Sequence, residues 1–128
     1  MMPANTIYII DDNEAVCSAL KFLLDSFFSV PIEIYDNPLN FLENYSTEWR
    51  GCLIIDLFLP FMDGNELLQE LKERDNCMPA IVMSGHGDRI ARQQALQNGA
   101  TYFLTKPFNI NELLEKITEF LEPSPVAG

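Results

Sequence analysis

The stretch YIIDDNE, residues 8–14, sets Asp11 and Asp12 side by side where an apolar run ends. Other apolar runs end the same way: CLII (52–55) at Asp56, AIVM (80–83) at Ser84, and YFLT (102–105) at Lys106-Pro107. Each polar residue alone fits a helix cap or a turn. Gathered at one place they would be a chemical site. Three close carboxylates repel or raise one another's pKa unless a cation lies among them. With oxygen donors and no His or Cys in the group, a hard ion is favoured, and Mg²⁺ fits best because it takes a few carboxylates together with phosphate oxygens. Lys106 adds a mobile positive charge suited to a phosphoryl group. A carboxylate beside such charges can attack phosphorus, and Asp56, alone at its strand end, is the expected nucleophile, leaving Asp11 and Asp12 as ligands.

The elements must bring these residues together. Residues 7–10 are β-branched and aromatic and read as a buried strand, followed by a helix carrying Val16, Ala19, Leu20, Leu23, Leu24 and Phe27 with Asn13 or Asp12 as its cap. The alternation repeats. Strands are predicted at 32–35, 52–55, 80–83 and 102–105; helices start near Pro38, carry Leu67, Leu68 and Leu71, run from about Asp88 to Asn98 before Gly99, and carry Ile110 to Leu121 before Pro123. Five unbroken apolar strands joined by helices predict a doubly wound parallel sheet covered on both faces, the α/β class. Right-handed crossovers put every loop after a strand on one edge, so the polar strand ends converge there.

At 128 residues a single domain is expected over 1–122, with 123–128 as a tail or truncated linker. Hydrophobic residues at 48% are too many for a disordered chain. The net charge of -11 and the lack of any Lys/Arg run exclude direct nucleic-acid binding as an expectation. Cys17, Cys52 and Cys77 lack zinc spacing and are expected to be buried free thiols, and no apolar run approaches the roughly 18 residues that span a bilayer. A reducing cytoplasm is the expected compartment.

The motifs IIDDNE, LIIDLFLPFMDGNELL, IVMSGHGD and NGATYFLTKPF, in that order over residues 5–122, resemble the receiver domain of two-component response regulators. Within that family they are most similar to nitrogen-fixation transcription regulators. The resemblance implies a flavodoxin-like sheet of order 2-1-3-4-5 and a phosphorylation-activated switch, regulatory rather than an enzyme beyond its own phosphotransfer and dephosphorylation. It implies that Asp56 accepts phosphate from a histidine kinase or phosphotransfer protein. Asp12 would bind Mg²⁺ directly, Asp11 mostly through water, and the Phe58 carbonyl would complete the ligands together with Asp56. Ser84 would bind a phosphoryl oxygen, Lys106 would pair with the phosphate, the bond to Pro107 would be cis, and Phe103 would match a rotating aromatic switch. Homodimerisation through the fourth helix, fifth strand and fifth helix also follows from the resemblance.

Some residues carry more than one reading. Ser84 lacks the methyl of a threonine and so has a freer χ1. Phe58 would either overhang the phosphoryl group and hinder attacking water or pack on Phe61 or Met62. His86, the sole histidine, reads as a loop residue. The polar fourth helix, with Arg89, Arg92, Gln93, Gln94 and Gln97, is expected to be the least anchored, which suits movement. Rival classes fit less well. A haloacid-dehalogenase-type phosphatase needs an acidic residue two positions after Asp11, where Asn13 stands, and a flavodoxin-like carrier needs a phosphate cradle where two carboxylates stand. A degenerate receiver serving as a phosphorylation-independent binding module is the alternative that shares the motifs.

Overall fold

The computed structural model describes residues 5–85 and 89–121. It contains β1 (Asn5–Ile10), α1 (Glu14–Phe27), β2 (Ile32–Tyr35), α2 (Pro38–Asn44), β3 (Arg50–Asp56), α3 (Gly64–Glu73), β4 (Ala80–Ser84), α4 (Arg89–Gln97), β5 (Tyr102–Thr105) and α5 (Ile110–Leu121). All neighbouring strands are parallel, in the order β2-β1-β3-β4-β5. This is the predicted alternation. The predicted segments lie inside these elements or overlap them, with β1 and β3 starting two residues earlier than expected.

The central strands carry unbroken apolar runs, Ile7–Ile10, Cys52–Ile55 and Ala80–Met83, because each face has its own helices, while the edge strand β2 keeps Glu33 exposed. Alternate residues Tyr8, Ile10, Leu53, Ile55, Val82 and Phe103 pack with Phe41 of α2, Leu67 and Leu71 of α3 and Ala95 of α4. Their neighbours Ile7, Ile9, Cys52, Ile54, Ile81, Met83 and Leu104 pack with Leu20 and Leu24 of α1 and with Leu113, Ile117 and Leu121 of α5. The first layer ends in a group of rings, where Trp49 stacks on Tyr8 at 4.5 Å between centroids.

Local signals fix the helix starts at the polar edge. Asn13 Oδ1 accepts the Val16 N–H, and Asp63 and Glu66 form a reciprocal capping box at α3. Gly99, at φ 115, ends α4 in the left-handed region. Cys17 and Cys52 are buried but Cys77, in the loop before β4, is exposed while Met78 beside it turns into the core. Asp88, His86 and the 123–128 tail lie outside the described residues. No described helix is long and apolar enough to cross a membrane.

Candidate functional site

The strand register brings the polar strand ends together. Ile10 pairs with Ile55, so Asp11 and Asp56 leave adjacent strands side by side, and Ser84 pairs with Thr105, which places Lys106 one step beyond. The Lys106 N–H donates to the Ser84 carbonyl at 2.7 Å, and the Lys106-Pro107 bond is cis, as expected. Gly64 lets α3 begin against this edge: a Cβ there would lie 3.0 Å from Leu57 Cα and 3.1 Å from the Asp56 carbonyl oxygen.

Asp11, Asp12 and Asp56 each offer a carboxylate oxygen within 4.8 Å of the others. Lys106 Nζ donates to Asp56 Oδ1 at 3.0 Å and stands 4.0 Å from Asp11 Oδ2. The three carboxylates differ sharply in setting. Asp11 is 1% exposed and Asp56 8%, whereas Asp12 faces solvent. Asp11 Oδ1 accepts the Asn13 N–H at 2.9 Å, but its buried Oδ2 has no hydrogen-bond partner. Burial therefore raises the Asp11 pKa above the ordinary carboxylate value. The Asn13 N–H opposes that rise, the Asp56 charge adds to it, Lys106 opposes it, and Asp12 adds to it. A buried oxygen with no donor, facing two more carboxylates, suits a hard cation held by oxygen ligands. The residues present fit such an ion.

Cys17 has a part that its spacing did not reveal. Its thiol donates to the Asp11 backbone carbonyl at 3.2 Å, and burial pushes its pKa to about 11, so it remains a neutral donor beneath the carboxylates. Of the remaining expected site residues, Ser84 is fully buried at the end of β4, and Phe58 is 58% exposed in the loop after β3. Phe103 is 3% exposed and belongs to the layer that includes Ala95, so its ring is turned inward.

The loop after β3 is pinned at its base, where the Gly64 N–H donates to the Leu57 carbonyl at 2.7 Å. At its tip the Met62 N–H reaches back to the Pro60 carbonyl at 2.8 Å, with Phe61 between them at φ 73. That is a γ-turn of the strained hand, and the Phe61 side chain is 78% exposed.

A 2-1-3-4-5 sheet with an acidic, cation-ready cluster and an ammonium at its C-terminal edge defines a doubly wound domain whose loops do the chemistry. Residues 7–118 match the model of the response regulator receiver domain, and the chain belongs to that family. It is thus a phosphorylation-activated switch domain of two-component signalling, a regulatory phosphoacceptor and not a classical enzyme. It is 38% identical over 122 residues to the response regulator protein TodT of Pseudomonas putida, covering 95% of this chain and 53% of that one. It is 37% identical to the transcriptional regulatory protein FixJ of Bradyrhizobium diazoefficiens, covering 95% and 59%. The solved structure of FixJ-N superimposes with a TM-score of 0.80 at 33% identity, covering 96% of this chain and all of that one. The chain spans a little over half the length of these curated relatives.

Proposed function

We propose that Asp56 is the phosphoacceptor and that Mg²⁺, bound by Asp11, Asp12, Asp56 and the Phe58 carbonyl, is required for loading it. The donor is a phosphohistidine of a histidine kinase or phosphotransfer protein. The observation that carries this reading is the placement of Lys106 Nζ, 3.0 Å from Asp56 and 4.0 Å from Asp11. An Asp56 oxygen attacks phosphorus, the P–N bond to the donor imidazole breaks, and the imidazole leaves with that electron pair. Bound Mg²⁺ supplies positive charge to the phosphoryl oxygens. Lys106 releases Asp56 Oδ1 and pairs with a phosphoryl oxygen, which keeps the loaded carboxylate aligned. Ser84 hydroxyl donates to another phosphoryl oxygen and passes the change to the α4, β5 and α5 face. Water then attacks phosphorus, the P–O bond to Asp56 breaks, inorganic phosphate leaves and Asp56 returns to the carboxylate.

Output then runs through that face, by homodimerisation or by contact with a further domain or partner, in the cytoplasm and without direct nucleic-acid binding by this domain. The presence of a full acceptor set, with Asp56, Lys106 and Ser84 at one edge, favours this over a phosphorylation-independent module. Intact mass after phosphoramidate and Mg²⁺ tests it. The native chain should gain one phosphoryl group, and both Asp56→Asn and removal of Mg²⁺ by chelation should abolish the gain. A native chain that gains nothing, or an Asp56→Asn chain that gains equally, overturns the reading.

A further inference from the structure

Phe61 sits at the tip of the loop that leaves Asp56, in a backbone conformation that a bulky side chain rarely adopts. Glycine or asparagine would hold φ 73 with less strain. Burial does not compensate, since 78% of the side chain is exposed while its neighbours Leu59 and Met62 turn partly into the core. Those two inward anchors, the pinned base at Gly64 and the γ-turn together hold the Phe61 ring outward beside the acceptor edge. Neither local backbone preference nor the packing of this domain accounts for an aromatic residue there.

We propose that the Phe61 ring is a specificity contact for the protein that delivers the phosphoryl group to Asp56, an inference that rests on the acceptor reading above. Asp56 is 8% exposed, so a macromolecular donor must bring its phosphohistidine down to the strand ends and cover the adjacent loop tip. A phosphorylated donor is anionic there, and this chain carries a net charge of -11 with carboxylates clustered at the site. Long-range charge works against that encounter, and affinity must come from uncharged contacts close to the site. An exposed, rigidly presented ring is such a contact, because it loses little conformational freedom on docking. A small donor such as phosphoramidate does not span the distance to the loop tip and bypasses the ring.

The test compares two donors on the native chain, Phe61→Gly and Phe61→Tyr. One is phosphoramidate with Mg²⁺; the other is the fastest of a set of phosphohistidine-loaded kinase domains and phosphotransfer proteins. For Phe61→Gly, the efficiency with the protein donor relative to phosphoramidate should fall about tenfold, through KM more than kcat, as loss of an aromatic hot spot does. Phe61→Tyr should restore it. The urea midpoint of Phe61→Gly should rise, because strain is relieved. An unchanged donor ratio, an equal loss with both donors, or a fall in the urea midpoint overturns the role of Phe61. So does a shift in self-association of Phe61→Gly by sedimentation, which would make a second copy the occupant. A native chain that phosphoramidate does not load sinks the acceptor reading itself, whatever Phe61 does.

Discussion

α3 and α4 lie on the same face of the sheet, one held firmly and the other loosely. α3 buries Gly64, Leu67, Leu68 and Leu71 and starts in a capping box, while α4 buries only Ala95 among its described residues and leaves Ile90 65% and Leu96 41% exposed. A side-chain link between them, Gln69 Nε2 to Asn98 Oδ1 at 2.8 Å, fastens the C-terminal end of α4. The firm helix begins at the acceptor edge, where a misplaced carboxylate would spoil attack. The loose one covers Phe103, where a change of shape has to be cheap. Stability is thus distributed by task within one small core.

The two helices differ most in what they contribute to the core. Leu67→Ala should cost about 3 kcal/mol, since its side chain is fully buried, whereas Leu96→Ala should stay within about 0.5 kcal/mol. Urea denaturation followed on both variants checks this, and equal losses would erase the distinction between the helices. A second measurement concerns the acceptor edge. With the Asp11 pKa raised on folding, its penalty is absent below the unfolded-state pKa and fully present above the folded one. The chain without Mg²⁺ should therefore gain stability as pH falls from neutral through the folded pKa. Asp11→Asn should lose that component, and identical pH profiles for the two chains would remove the burial argument.

Smaller effects sharpen the contrast on the loose side. Ser84→Ala should leave Asp56 phosphorylation measurable by intact mass while phosphorylation-dependent partner binding is lost. Retained binding would detach Ser84 from the α4 face. Phe58, 58% exposed in the loop joining Asp56 to α3, should affect only the lifetime of the phosphorylated state. Phe58→Asn is expected to change that decay by a few-fold with little effect on stability, and equal decay rates would assign Phe58 a purely local role.

Much of the fold was legible because both faces of the sheet are covered, which left the central strands as unbroken apolar runs with polar residues at their ends. The site was legible for the same reason: strand ends of a parallel sheet share an edge. What stayed hidden depends on side-chain direction. Spacing alone does not tell that Asp11 is buried and Asp12 exposed, because one residue along an extended chain reverses the face. Spacing likewise hid the exposure of Cys77 beside a buried Met78. The inward ring of Phe103 depends on a layer it shares with Ala95, a residue eight positions away on another element. The γ-turn at Phe61 opposes the preference of its own residue type, so local propensity pointed the wrong way.

Trp49, the sole tryptophan, stacks on Tyr8 just before β3 begins, and Asp56 ends that strand. Seven steps along the strand put about 23 Å of backbone between them. The molecule therefore carries an optical reporter at one end of the strand whose other end bears its chemistry. Emission from that indole follows the integrity of the aromatic group packed with Phe41 and Tyr45. Unfolding can accordingly be read by fluorescence in the resting and phosphorylated states alike, and the difference between the two curves measures what the modification does to the fold.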